Sequence, residues 1–154
     1  NNTDFNNNYT IEEQYKIINE KYFNINKQGE QLTITLIDSD ENNNLLGDTS
    51  GLEYNKEYVI NNSNANNIKS IFCGGEGQDL MYPLVFLLQQ DGTVQGIDIE
   101  SGYKTGNFVA KNISELKDVE KIEQASVTPK DDSGYVAVIA ITKDDTVYEL
   151  RKIE

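Results

Sequence analysis

A repeated pattern in the C-terminal part of the chain is the feature that most constrains its fold. Asn67–Ile71 matches Asp118–Ile122 at an offset of 51 residues, and Asp91–Val94 matches Asp144–Val147 at an offset of 53. A unit of about 50 residues with several short strands cannot bury its own apolar face, so such units pack against their neighbours. The pattern therefore predicts related β units that share a core.

Each unit contains a short strand, a variable loop, an apolar strand, a tight turn and a return strand. The turns are centred on Asp91–Gly92 and on Asp144–Asp145. Both pairs suit a two-residue hairpin turn, which needs residues that accept positive φ. The sequence thus predicts two related units, at residues 67–100 and 118–153.

Two stretches of the first unit, Ile68–Gly75 and Val85–Val94, resemble the blade repeat of RCC1-type β-propellers. The second unit keeps Val119–Ile122 and Asp145–Val147, but Gln124–Ala125 replaces the Gly pair, and neither unit ends in Trp-Gly. In that family the ring scaffolds partner surfaces, so the resemblance implies binding rather than a reaction. Because propellers typically have 4–8 blades, two or three units favour a small barrel, a sandwich or a partial propeller-like sheet.

The N-terminal part carries the signature of one amphipathic helix. Thr10–Glu13 forms a capping box, in which the Thr hydroxyl and the Glu carboxylate satisfy backbone N–H groups. Apolar residues follow at spacings of four, three and four, which place them on one helical face: Ile11, Tyr15, Ile18 and Tyr22. We expect the helix to end near Phe23 and Gly29 to lie in its exit loop.

The remaining chain has the pattern of strands. Leu32–Ile37 alternates with period two, and the polar segment 38–44 predicts a hairpin to Leu45–Gly47. Leu84–Leu88 and Val136–Ile141 are unbroken apolar runs, which favour central strands covered on both faces. Further strands are predicted at Glu57–Asn61, Ile68–Cys73, Leu84–Gln90, Val94–Ile99, Phe108–Lys111, Val119–Ser126, Tyr135–Thr142 and Thr146–Ile153.

These patterns together predict a mainly β fold with one N-terminal helix. The 154 residues fit a single domain at 10–154, preceded by a disordered polar tether at 1–9. The lone Cys73 has no partner for an internal disulfide, and we expect it to be buried beside Phe72.

Charge and composition exclude several functional classes. The chain has 26 acidic and 13 basic side chains, a net charge of -13, and no His. Such a charge repels phosphate backbones and anionic lipid headgroups, so nucleic-acid binding is not expected. Without imidazole there is no Ser-His or Cys-His relay. No apolar run approaches the roughly 18 residues of a membrane helix, so direct membrane insertion is not expected either.

Composition also suggests where in the cell the protein is located. The chain starts at Asn1 in a polar stretch, and it has 19 Asn residues and 12 Lys against one Arg. In these respects it resembles surface lipoproteins of AT-rich Gram-positive bacteria. That resemblance implies an extracellular, lipid-anchored protein whose upstream leader has been removed.

Motifs for catalysis or metal binding are incomplete. Asp38–Asn42 matches the start of a calcium loop, but Asn43 and Thr49 stand where Gly and a bidentate Glu are required. The Asp132–Gly134 tripeptide of aspartic proteases follows polar residues rather than an apolar strand, which predicts an exposed turn. Adjacent acids such as Asp144 and Asp145 are expected by chance in so acidic a chain. We predict no catalytic residue, cofactor or metal.

Tyrosine supplies the remaining candidates for a site, because its ring offers apolar area with a polar tip. Tyr82, Tyr103 and Tyr135 fall at predicted loops or strand starts. We therefore expect a non-enzymatic domain whose loops bind a protein or a cell-envelope component. Two alternatives stay open, a hydrolase that uses a pair of acidic residues and a structural module without a ligand.

Overall fold

The computed structural model describes residues 23–37, 51–76, 84–127 and 135–150. Within these ranges the chain forms ten strands, one α-helix and one 3-10 turn at Ala65–Asn67. The helix, α1, spans Ile99–Thr105. The strands are β1 Phe23–Gln28, β2 Gln31–Leu36, β3 Glu57–Ile60, β4 Ile68–Glu76, β5 Leu84–Gln89, β6 Val94–Asp98, β7 Lys111–Asn112, β8 Val119–Val127, β9 Tyr135–Thr142 and β10 Val147–Leu150.

The strands form three antiparallel sheets. The first contains β1, β2 and β3, the second β4 to β7, and the third β8, β9 and β10. The last two residues of β4, Gly75 and Glu76, also pair with β9, so the second and third sheets are continuous. The sheets are open, and none closes into a barrel within the described ranges. The mainly β prediction is confirmed, whereas the barrel is not observed.

The first sheet begins where the sequence predicted the end of a helix. Residues 10–22 lie outside the described residues, but Phe23 starts β1 rather than finishing a helix. Phe23 and Ile25 are both fully buried, as period-two alternation places them on one face of a strand. Gly29 has a φ of 64° in the β1–β2 hairpin turn, so its assignment to a helix exit loop was wrong.

A short helix interrupts the predicted strand at Val94–Ile99. Asp98 ends β6 because its carboxylate accepts a 3.0 Å hydrogen bond from the Ser101 N–H, which caps α1. Gly106 closes the helix with a φ of 74°. The predicted strand at Phe108–Lys111 is reduced to β7 and a parallel bridge between Asn61 and Val109.

The core lies on both faces of β5. Val85 and Leu87 point into one buried cluster, which they share with the first sheet and α1. Phe86 and Leu88 point into a second cluster, which includes Ile122 of β8. All residues from 84 to 88 are buried, so the prediction of a strand covered on both faces is confirmed there.

The apolar run of β9 is less deeply covered. Ala140 is buried, whereas Ile139 and Ile141 are only half-buried. Cys73 lies in β4 opposite Val85, and its predicted burial is outside what is described. The predicted hairpin at 38–47 and the tether at 1–9 also lie outside the described residues. The single-domain boundary stays a prediction.

Candidate functional site

Two hairpin turns, Gln89–Thr93 and Thr142–Thr146, have the same backbone hydrogen bonds. In each turn the first N–H donates to the last carbonyl, at 2.9 Å and 3.0 Å. The fourth residue, Gly92 or Asp145, donates to the first carbonyl at 3.0 Å. Both fourth residues have positive φ, 84° and 66°. The turns are therefore geometric equivalents at an offset of 53 residues.

An aspartate fixes each turn. Asp91 Oδ1 accepts a hydrogen bond from the Thr93 N–H at 3.0 Å and another from the Thr93 hydroxyl. Asp144 Oδ1 accepts from the Thr146 N–H at 3.3 Å and from the hydroxyls of Thr142 and Thr146. These donors favour the charged carboxylate, so hydrogen bonds from the Thr side chains lower the pKa of both aspartates. One carboxylate oxygen of each aspartate, Oδ1, is therefore occupied within its own turn.

The strands that lead into β5 and β9 are also equivalent. Both β4 and β8 shift register near their start, between Ile68 and Ser70 and between Val119 and Lys121. Each leading strand is preceded by a polar linker, the first linker at Asn61–Ile68 and the second linker at Asn112–Val119. The 67–100 and 118–153 segments thus share turns, register shifts and strand order, while their origin by duplication stays a prediction.

The two linkers cover the turns that precede them. In the first linker, the Ala65 N–H donates to the carbonyl of Glu30, in the β1–β2 turn, at 2.7 Å. In the second linker, the Val119 N–H donates to the Gly92 carbonyl at 2.9 Å. No backbone N–H of a linker reaches the Thr142–Thr146 turn in the described part of the chain. The third turn does contact the second linker, because the Lys143 N–H donates to the Asp118 carbonyl at 2.9 Å, but no linker that follows this turn is among the described residues.

The outer edge of β10 is uncovered. Strand β2 is flanked by β3, and β6 is flanked by β7, but β10 has no outer strand among the described residues. Val147 is 60% exposed, whereas its equivalent in β6, Val94, is 0% exposed. Tyr148 is 39% exposed, whereas its equivalent, Gln95, is 4% exposed. An edge strand with exposed apolar side chains is an unusual feature, because such edges promote pairing with another chain.

A cleft of about 450 Å³ lies beside the same turn. Its walls combine three carboxylates, two ammonium groups, two Thr hydroxyls and an aromatic ring: Glu115, Lys117, Asp118, Thr142, Lys143, Asp144, Thr146 and Tyr148. We call the Thr142–Thr146 turn, β10 and this cleft the open end. Its mixture of charges and an exposed ring suits contact with a polypeptide better than enclosure of a small apolar molecule.

The structure describes the predicted tyrosines to different extents. Tyr82 lies outside the described residues. Tyr103 lies in α1 rather than at a loop or a strand start, and it is fully buried. Its ring meets Phe108 edge to face at 6.1 Å, and burial raises the pKa of its hydroxyl. Tyr135 starts β9, where its backbone pairs with Glu76 and Val127.

Sequence reasoning missed Tyr148 and Val147. Both lie in the strand predicted at Thr146–Ile153, but nothing in that strand marks it as an outer edge. A comparison with the first unit could have indicated their exposure, since Val94 is followed by the β7 segment and the second linker, which cover it.

The other sequence motifs are less informative about the site. The calcium-like loop at 38–42, the Asp132–Gly134 tripeptide and the acids of the predicted helix lie outside the described residues.

Neither a metal nor a membrane helix is indicated in the described residues. They contain no group of three or more His, Cys, Asp or Glu side chains placed to hold a metal ion. In the same ranges no helix has the length and apolarity needed to cross a membrane. In comparisons with protein-family models, curated proteins and solved structures, nothing matches this chain.

Proposed function

We propose that this chain is a non-enzymatic domain that binds another protein through the open end. The observation that carries this proposal is the contrast between two equivalent valines, Val94 with 0% and Val147 with 60% exposure. Burial of a side chain of this size is worth about 1.5–3 kcal/mol. A partner that covers β10 gains the part of this free energy that belongs to the exposed area of Val147, and it also buries the exposed area of the Tyr148 ring.

The arrangement of the sheets supports a scaffolding role. Three antiparallel sheets follow one another along the chain. This succession suits a partial propeller-like architecture, in agreement with the RCC1-type resemblance of the 68–94 segment. Such architectures bind through exposed edges and turns rather than through an enclosed catalytic pocket.

The charges of the chain restrict the partner to a protein or another envelope component. A net charge of -13 opposes binding to nucleic acid and to anionic lipid surfaces. The cleft nevertheless contains Lys117 and Lys143 beside three acids, so a polar polypeptide finds both donors and acceptors there. The extracellular, lipid-anchored address that the composition suggests is part of this proposal.

Site-specific photo-crosslinking in the cells that produce the protein tests the proposal. A photoreactive amino acid replaces Val147 in one variant and Val59 in the control. Val59 is a matched control because it is also an exposed valine, with 43% exposure, on a strand of the first sheet. We expect one crosslinked protein partner from position 147 and none from position 59. Absence of a specific crosslink at 147 would favour a structural module without a ligand.

The cleft gives a specific reason to test one alternative, a hydrolase with two acidic residues. Glu115, Asp118 and Asp144 line the same cleft, as a pair of catalytic carboxylates would. A general acid needs a raised pKa, however, whereas the Thr hydrogen bonds lower the pKa of Asp144. We expect no turnover of a panel of glycosides by the wild-type chain. Turnover that Glu115→Gln or Asp118→Asn abolishes would support the hydrolase instead.

A further inference from the structure

The equivalent edge of the second sheet shows what covers a strand like β10. Strand β7 pairs Asn112 with Gln95 of β6, and the Gln95 Nε2 donates to Asn112 Oδ1 at 3.0 Å. The next residue, Ile113, donates its N–H to the Val94 carbonyl at 2.9 Å. The outer side of β6 is thus satisfied by a short polar strand.

The rest of the second linker supplies the apolar cover. Leu116 and Val119 are both buried, and they belong to the same cluster as Val94. The Val119 N–H then donates to the Gly92 carbonyl and covers the turn. One segment of nine residues, Lys111–Val119, therefore covers the edge, the apolar face and the turn of β6. It pairs as a strand only at its start and then turns, since the Leu116 N–H donates to the Ile113 carbonyl at 3.1 Å.

The first linker repeats the sequence pattern of the second, although its contact with the preceding turn is made by the fifth residue, Ala65, instead of the eighth. Counted from Asn61 and Asn112, the third residue is Ser, the fifth is apolar and the eighth is β-branched and apolar. The fifth and eighth residues are buried in both linkers: Ala65 and Ile68 in the first, Leu116 and Val119 in the second. The chain thus uses one pattern twice, Asn-x-Ser-x-apolar-x-Asn/Asp-Ile/Val, to cover a sheet edge.

We infer that the open end binds a peptide of this linker pattern, whose first residues pair with β10 as a short added strand and whose later residues turn back to bury Val147. The partner is a polypeptide with Asn at the paired position, an apolar residue four positions later and Ile or Val seven positions later. This inference rests on the proposed function and names its partner class. Strand addition suits the site because backbone hydrogen bonds supply affinity and side-chain positions supply selectivity.

The register of the added strand follows from the second sheet. Val147 takes the place of Val94, so its carbonyl accepts the N–H of the residue after the paired Asn. The carbonyl of Asp145 takes the place of the Gly92 carbonyl and accepts the N–H of the Ile or Val. The ring of Tyr148 and the ammonium groups of Lys117 and Lys143 line the path between these two points.

A synthetic fluorescent peptide with the sequence of Lys111–Glu120 tests this inference on the full chain. We expect saturable binding by fluorescence anisotropy, and no binding of a scrambled peptide. N-methylation at the position of Ile113 removes the donor to Val147 and should raise the Kd by about tenfold or more. N-methylation at the position of Glu120, beyond the contact segment, is the matched control and should leave the Kd unchanged.

The protein variants locate the binding. Val147→Lys should raise the Kd about tenfold or more because it removes the apolar contact, while Val59→Lys should not. Equal binding of the scrambled peptide, or a Kd insensitive to Val147→Lys, would overturn the inference. Concentration-dependent dimers in sedimentation that Val147→Lys abolishes would also overturn it, in favour of a second copy at β10.

The outcomes separate this inference from the proposed function. A crosslinked protein at position 147 combined with no peptide binding would retain the protein-binding function and reject the linker-like partner. The peptide series uses the unmodified protein, so its result does not depend on the folding of any variant.

Discussion

Gly92 lies so close to Asp118 that a side chain at Gly92 would crowd the backbone of the second linker. A Cβ at Gly92 would stand 3.2 Å from the Asp118 Cα and 3.3 Å from the Val119 nitrogen. Gly92 also has a φ of 84°, in the region that favours glycine. The close approach exists because the second linker covers this turn, and it marks the place where one sheet is joined to the next.

We expect Gly92→Ala to lower the free energy of unfolding by about 2–4 kcal/mol, from positive φ and crowding against backbone together. Gly29→Ala is the matched control. Gly29 also has a positive φ, 64°, but a Cβ there meets nothing within 4 Å, so a loss of only about 1–2 kcal/mol is expected. Urea unfolding measures the free energy of unfolding of both variants. Equal losses in the two variants would show that the Asp118 contact does not matter.

Gly102→Ala should destabilise the protein, which is the opposite of the effect expected at an ordinary helical glycine. Replacement of Gly by Ala inside a helix normally stabilises by about 1 kcal/mol. At Gly102 the added Cβ would overlap the ring of Phe108, which is buried and packs against Tyr103. We expect Gly102→Ala to destabilise by about 3 kcal/mol, measured by thermal and urea unfolding. Combination with Phe108→Leu should recover part of the loss, and no recovery would contradict the proposed overlap.

Tyr103→Phe should stabilise the protein. The Tyr103 hydroxyl is buried without a hydrogen-bond partner, and an unsatisfied buried polar group costs about 1–3 kcal/mol. Removal of the hydroxyl keeps the ring contact with Phe108. Calorimetry should show a higher Tm for Tyr103→Phe and a lower Tm for Tyr103→Ala, which loses the ring. A lower Tm for Tyr103→Phe would mean that the hydroxyl contributes a favourable contact.

The lowered pKa values of Asp91 and Asp144, the two turn aspartates, predict that the protein loses stability in acid. Hydrogen bonds from Thr93 lower the pKa of Asp91 below its ordinary value of 3.8, and those from Thr142 and Thr146 lower the pKa of Asp144. A depressed folded-state pKa contributes stability that is present above the unfolded pKa and is lost as the pH falls through the folded pKa. The change should therefore occur below pH 3.8.

NMR titration of the carboxyl carbons checks this directly. Thr93→Val should raise the pKa of Asp91 toward its ordinary value and leave the pKa of Asp144 low, because the two turns use different Thr residues. A coincident rise of both pKa values would indicate a general loss of structure rather than the loss of one turn contact.

The strands with strong apolar patterns could be predicted from sequence. The predicted Leu84–Gln90 strand differs from β5 by one residue, because a run buried on both faces leaves little choice of structure. The helix α1 was missed, since seven residues are too few for a helical period to emerge and its signal is only the Asp98 cap. Strand β1 was missed because a competing helical pattern extended to Phe23.

The site was harder to predict than the fold. Whether Val147 is exposed depends on what lies beside β10, and the local sequence around Val147 resembles that around the buried Val94. For Tyr103 the error is the opposite one, because a residue expected to be exposed is buried. A tyrosine was expected near the surface, but the close packing of α1 on Phe108 places it in the core.

Strand β4 links two sheets through one continuous backbone. Most of its residues pair with β5, and its last two pair with β9. Pulling β9 away therefore peels the end of β4 and loosens the hydrogen bonds that hold β5. We therefore expect the second and third sheets to unfold together, and a force applied to β10 to be transmitted through β9 and β4 to β5.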